Sequence, residues 1–338
     1  MGVPPLARTR LITLALAAVI VLPLSAQGSN GGVHVLLVTG LSAEPVYAHS
    51  FAQTAAVIYD AARRGWGVAD SSLIYLAEDP TRDSLRIRGI SNRETIQRAV
   101  ETLSHRVKPG DVVFFLLLGH GSGEGPDSKV NLPGADPTAS DYASWVAVFP
   151  SQVVVFVNGS SGSGDFIGVV SAPNRIVITA TKTALERNES HFAEYFARAF
   201  SGSEADADKD GRVSVLEAFQ YAHTEVEKYY TSRNLLQTEH ALLDDNGDGK
   251  GSGDPGMTDD GDGRLARRVA FGGSAASSDP RVIALMAERR VLELRLDSLR
   301  ARKATTDSVR YQKALEALLT DIAIKSQAIR DLQKGGHQ

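Results

Sequence analysis

Five short runs of Val, Ile, Leu and Phe constrain this chain more than any other feature. Residues 33–38, 72–76, 111–118, 152–157 and 175–180 are apolar almost throughout, without the polar alternation of a half-wet strand. A strand reads this way when both of its faces are buried, and burial on both faces is the signature of a parallel sheet. Amphipathic stretches at 48–64, 92–106, 141–148 and 190–200 lie between or after these runs and are long enough to serve as crossover helices. The order predicts an α/β domain over residues 31–240, a mostly parallel sheet with helices on both faces.

The two ends of the chain read differently. Arg8 and Arg10 precede an apolar stretch at 11–24, broken by Pro23 and followed by small residues, the pattern of a secretory signal over residues 1–26. The expected location is secreted or periplasmic, with no membrane span after cleavage. Residues 241–279 are dense in Gly, Asp and Ser, carry no periodicity and are expected to form an acidic linker. Beyond Pro280 the composition turns to Leu, Arg, Glu, Lys and Ala. Leu285, Leu292, Leu296 and Leu299, then Tyr311, Leu315, Leu318, Ile322, Lys325, Ile329 and Leu332, keep a four-three spacing on either side of a polar break at 303–308. An antiparallel, coiled-coil-like helical hairpin over 280–335 is predicted, either packed on its own domain or free for docking and oligomerisation.

Composition removes several classes of function. With 36 Lys+Arg against 40 Asp+Glu the net charge is -4, so nucleic acid is not an expected partner. Cysteine is absent, which excludes disulfides, thiolate metal sites and a cysteine nucleophile. In a parallel sheet, ligands bind beyond the carboxyl ends of the strands. Two of these junctions are unusual: the run 111–118 enters Gly119-His120-Gly121-Ser122-Gly123, and the run 152–157 enters Asn158-Gly159-Ser160-Ser161-Gly162-Ser163-Gly164-Asp165. The first is not a dinucleotide fingerprint, because Glu124 stands at the third glycine position. The second lacks the closing glycine of a hydrolase nucleophile elbow.

Taken together, the two loops resemble those of legumain-type peptidases of the caspase-like cysteine peptidase clan. The resemblance covers residues 33–231 and implies a caspase-like fold, a protein or peptide substrate and peptide-bond hydrolysis. It places His120 on the catalytic histidine, Gly121 beside the oxyanion and Ser161 where the nucleophilic cysteine belongs; counting forward from Asn158 would select Ser160 instead. It also places the substrate pocket near His49, Thr181 and Lys182, with Ala48 beside His49 where enzymes that cut after Asn or Asp carry an arginine. A thiol near its ordinary pKa of about 8.5 is readily activated by imidazole, whereas a serine hydroxyl needs a base positioned to take its proton during attack. Three readings stay open: a silent or weakened peptidase relative, a working Ser-His hydrolase, and a calcium-dependent interaction module that uses the hairpin.

The most complete local motif runs from Asp206 to Glu217. Asp206, Asp208 and Asp210 hold positions one, three and five of an EF-hand loop, Gly211 the sixth, Arg212 the seventh through its carbonyl, Ser214 the ninth and Glu217 the twelfth. Hard oxygen donors at this spacing predict Ca2+ as the bound ion. Two further acidic segments, 244–249 and 258–263, begin in the same way but have Pro255 and Val269 where the bidentate acid belongs. Weak calcium coordination and a solvated linker both fit them.

Overall fold

A computed structural model describes residues 31–256, 261–272 and 279–335. The signal peptide expected at 1–26 and part of the acidic segment 258–263 lie outside the described residues. The strands are β1 Val33–Thr39, β2 Leu73–Ala77, β3 Gly89–Ile90, β4 Val112–Leu118, β5 Gly121–Ser122, β6 Lys129–Val130, β7 Val153–Asn158, β8 Arg175–Thr179, β9 Arg212–Ser214, β10 Leu242–Asp244 and β11 Ala270–Gly272. The helices are α1 Pro45–Arg64, α2 Arg93–Ser104, α3 Ala139–Val146, α4 Phe166–Val170, α5 Phe192–Arg198, α6 Val215–Ser232, α7 Arg264–Arg268, α8 Pro280–Ala301 and α9 Ser308–Gly335.

Seven strands form one sheet in the order β10-β8-β7-β4-β1-β2-β3, parallel except for β10. The all-apolar runs are its centre, and residue parity divides them between two cores. Val35, Leu37, Phe114, Leu116, Val155 and Val157 face the core that α1, α5 and α6 cover. Leu36, Val38, Val113, Phe115, Leu117, Val154 and Phe156 face the core that α2, α3 and α4 cover. A strand with both faces filled has no position to spare for a polar residue, which is why these runs do not alternate. The mostly parallel α/β architecture expected from the runs is the one the chain adopts.

Local signals set the helix boundaries. Asn92 caps α2 through the Thr95 amide, and α3 and α6 each begin with a reciprocal capping box, Thr138 with Asp141 and Ser214 with Glu217. After α9 is reached through a short turn at Lys303–Thr305, it packs along α8. Leu296, Leu299, Tyr311 and Ile329, all on the predicted seam, are buried.

The linker expected over 241–279 is corrected. Leu242–Asp244 pairs antiparallel with β8 as the sheet edge, and Ala270–Gly272 pairs antiparallel with β9 inside the Asp206–Glu217 loop. Leu243, Ala266, Val269 and Phe271 are buried in the main core. Strands of three residues are too short to produce a readable period, so their Gly- and Asp-rich flanks dominated the sequence pattern.

Candidate functional site

The two loops that stand out in sequence leave adjacent strands. β4 and β7 pair in register with Leu117 opposite Asn158, so the His120 loop and the serine loop emerge side by side at the carboxyl edge. They touch through backbone: a Cβ added to Gly121 would lie 2.1 Å from the Ser161 carbonyl oxygen, a distance that only glycine permits. The Gly121 N–H points at the Ser161 Oγ at 3.4 Å.

The serine loop distinguishes its three hydroxyls. Ser160 is fully buried and donates to Asn158 Oδ1 at 2.7 Å. Ser163 accepts from the amides of Ala180 and Thr181 at 3.1 and 3.3 Å. Ser161, 4% exposed, has only the long contact from Gly121. Both serines that the sequence leaves as alternatives have hydroxyls near Gly121 of the histidine loop; Ser161 Oγ accepts from its amide, while Ser160 Oγ is tied to Asn158 in its own turn. Asp165 adds a second tie, accepting from the Gly125 amide at 2.7 Å.

His120 is held by groups that sequence reasoning did not select. Its Nε2 lies 3.3 Å from the Ser42 carbonyl. Tyr47 and Phe51 meet the ring edge-on at centroid distances of 4.9 and 5.5 Å. Ser42 is in turn clamped by Glu78, donating its hydroxyl to Oε1 at 2.5 Å and its amide to Oε2 at 3.1 Å. Donation from Nε2 to a carbonyl leaves Nδ1 as the basic nitrogen. No hydrogen bond joins His120 to Ser161 among the described residues. Tyr47 and Phe51 share one face of α1 at the i, i+4 spacing, a signal present in the sequence; the Glu78 contact spans 36 residues and has no sequence signature.

The three residues placed at the substrate pocket scatter. His49 is exposed on α1, two positions on from Tyr47 and outside the His120 cage. Thr181 is buried, and its hydroxyl accepts from the Gly164 amide at 3.1 Å, which makes it a tie for the serine loop. The Lys182 side chain is exposed, and its amide donates to Glu186. A cavity of about 210 Å³ lies next to the cage instead, lined by Gly40, Ala48, Phe51, Glu78, Asp79 and Arg82 among others.

A second centre forms at the Asp206–Glu217 loop. Oxygens of Asp206, Asp208 and Asp210 lie within 4.8 Å of one another. Lys209 and Gly211 take positive φ of 59° and 81°, which folds the loop back so that Asp206 accepts from the amides of Asp210 and Gly211, each at 2.9 Å. Glu217 closes the loop: Oε1 accepts from the Ala207 amide at 3.0 Å and Oε2 from Ser214, amide and hydroxyl, at 2.8 Å. Arg212 and Ser214 extend along β9, as the seventh and ninth positions require. The oxygens that converge are those of the three aspartates, a hard-oxygen set that fits Ca2+.

Electrostatics there are strained by like charge. The Asp208 carboxyl is pushed up to about 6, by loss of hydration first and then by Glu217 and Asp206, with Arg289 acting in the opposite direction. With 56% of its side chain in water, solvent screening favours the smaller end of that effect. Arg289 comes from α8. Its side chain is 3% exposed, and its Nη2 lies 3.5 Å from both Asp208 Oδ1 and Asp210 Oδ2. A cavity of about 420 Å³ separates loop and hairpin, lined by Asp208, Asp210, Glu217, Glu293, Arg267 and Arg300 among others.

No family model matches the chain, and no curated protein does. Among solved structures it is similar to the protein GSU0716 from Geobacter sulfurreducens, at 12% identity and a TM-score of 0.41 over 63% of this chain and 92% of that one. It is also similar to drICE, a caspase, at 10% identity and a TM-score of 0.37 over 64% and 88%.

Proposed function

We propose that this protein is an exported, calcium-binding relative of the legumain-type peptidases that binds a protein or peptide at the His120–Ser161 edge without cleaving it efficiently. The observation that carries this reading is the placement of the Ser161 hydroxyl. It lies against the Gly121 N–H, the donor that would otherwise hold a developing oxyanion, and it makes no hydrogen bond to His120. A hydroxyl without a base in contact stays protonated during attack, so it is a poor nucleophile where a thiolate would not be. The site keeps the parts that position a peptide carbonyl and lacks the part that activates an oxygen nucleophile. The cavity beside Phe51, walled by Glu78, Asp79 and Arg82, offers room and charge for one side chain of a bound peptide.

A serine-directed fluorophosphonate tests this directly. The wild-type chain should give no adduct at Ser161 under conditions that saturate an ordinary serine hydrolase. Labelling of Ser161 that His120→Ala abolishes would establish the working Ser-His hydrolase instead.

One observation favours adding the interaction-module reading to this one. The hairpin reaches the calcium loop through Arg289, so the element suited to docking and the element suited to Ca2+ are in contact. Calcium in the loop and attachment of the hairpin then act on the same carboxylates.

A further inference from the structure

The two acidic segments that each lack a twelfth-position acid meet in space. The Asp245 amide donates to Asp262 Oδ1 at 3.1 Å, the Gly263 amide to Asp245 Oδ1 at 2.8 Å, and the Gly256 amide to the Asp262 carbonyl at 2.6 Å. Asp244, Asp245 and Asp262 are 1%, 7% and 6% exposed. Three carboxylates at this depth ordinarily need cationic partners or a metal. Among the described residues no Lys, Arg or His forms an ion pair with any of them, and the charged neighbours acting on Asp262 are Asp244 and Asp245.

The three acids are not equivalent. Asp245 uses both oxygens to cap α7, accepting from the Gly263 and Ala266 amides. Asp244 uses Oδ1 to accept from the Gly247 amide at 3.0 Å, which turns its carboxyl into the 245–249 loop, while its buried Oδ2 has no hydrogen-bond partner. An orphaned, fully buried carboxylate oxygen costs several kcal/mol unless something charged or protic meets it.

The loop that follows has the same backbone course as the Asp206 loop. Its fourth and sixth positions, Gly247 and Gly249, take φ of 82° and 73°, matching Lys209 and Gly211. Its third position accepts from the amide of its fifth, Asn246 from Asp248 at 2.8 Å, and its fifth from that of its seventh, Asp248 from Lys250 at 2.8 Å. In the first loop Asp208 accepts from Asp210 and Asp210 from Arg212 in the same two places.

We infer that Asp244, Asn246 and Asp248 form a second divalent-cation site on the loop that follows the sheet-edge strand β10, with Asp262 held beside that loop through the Asp245 amide. The donors are carboxylate and amide oxygens on a glycine-hinged loop, the set that suits Ca2+ better than the smaller Mg2+. The site does not depend on the Asp206–Glu217 loop.

The test uses the full chain with the first loop silenced by Asp206→Asn and Glu217→Gln, titrated with CaCl2 by calorimetry and by thermal unfolding. This background should still bind one Ca2+ per chain and melt at a higher temperature in calcium than in chelator. Asp244→Asn should abolish both effects. Asp248→Ala, at an exposed position where the fold is not at stake, should weaken binding by at least about tenfold. If the folded background binds no Ca2+ at about 10 mM, or binds it equally with and without Asp248→Ala, the site does not exist. If instead only the first loop binds no calcium, wild type and background give the same single site, so the two assignments fail separately.

Discussion

The buried guanidinium of Arg289 lies 3.5 Å from the carboxylates of both Asp208 and Asp210, so a side chain of the C-terminal hairpin stands as counter-cation to the Asp206–Glu217 loop, the site proposed for Ca2+. The same guanidinium is held by Glu293, 3.1 Å away on its own helix, and donates to the Asp208 carbonyl at 3.4 Å. Two cations cannot share these oxygens without repulsion, and the coupling is reciprocal: whatever Ca2+ does to hairpin attachment, the hairpin does to Ca2+ affinity. Arg289→Ala should therefore tighten calcium binding several-fold, and calcium should speed amide exchange in α8 and α9 of the wild type. Unchanged affinity in Arg289→Ala, with no calcium effect on exchange, would leave the contact as simple packing.

Glu217 has two duties that a conservative substitution separates. Its carboxylate is the twelfth loop position, and it also accepts from Ser214 as half of the box that starts α6. Glu217→Gln keeps a carbonyl oxygen for the cap but loses the charge and the bidentate donor, so calcium affinity should fall by at least about tenfold with little change in melting temperature in chelator. Glu217→Ala should lose both, at an added cost of about 1 kcal/mol for the cap. Calcium titration and unfolding of the two variants distinguish the roles.

How much of this could be read from sequence depends on the distance over which each feature is encoded. The runs at 33–38, 111–118 and 152–157 are local, and local burial on two faces leaves a local pattern, so a mostly parallel sheet follows from them; its strand order rests on contacts between distant residues and does not. Asp206, Asp208, Asp210 and Glu217 lie within one loop at fixed spacing, so they were legible too. His120 and Ser161 were legible as strand-end residues, but their surroundings were not. The Ser42–Glu78 clamp and the Arg289 contact join residues 36 and 81 apart through charge and shape alone. The resemblance places His49 at the pocket, but His49 is two residues on from Tyr47 and lies about 200° round the helix, while Tyr47 and Phe51, four apart, share the face that meets His120. The segment 241–279 has a linker's composition because its strands are three residues long and its order comes from contacts between distant residues, Asp245 with Asp262 among them.

Part of the acid sensitivity should lie at α3. Asp141 is held well below the usual carboxylate range by the Arg93 guanidinium, which it meets at 2.5 Å, with Thr138 donating to it as well. A carboxylate whose folded pKa is depressed contributes stability that is present above the unfolded value near 4 and is lost as pH falls through the folded one. Below about pH 4 the wild type should therefore lose stability as Asp141 takes up a proton, and Asp141→Asn should flatten this part of the profile while costing about 1 kcal/mol at pH 7. Urea unfolding across that range measures both. An Asp141→Asn profile parallel to wild type would place the acid-labile groups elsewhere.

Ser161 yields the sharpest test of the proposed site. Ser161→Cys changes one atom, at a place where the Gly121 amide already points and where His120 stands in the loop that leaves the neighbouring strand, with Nδ1 as its basic nitrogen. A thiol needs only a nearby base to exist as thiolate, whereas the serine needs proton transfer timed with attack, so the substitution should restore reactivity that the wild type lacks. The variant should react with iodoacetamide at neutral pH faster than a cysteine placed on an exposed surface, for example at Ser232, despite its burial. His120→Ala in the Ser161→Cys background should remove the difference, and Glu78→Gln should diminish it by loosening Ser42 and with it the imidazole. Peptide cleavage need not return, since a reactive thiol reports the pair alone and the cavity at Ala48 decides which side chain can bind. A slow alkylation rate that ignores both His120 and Glu78 would show that the two strand-end loops meet for packing and form no dyad.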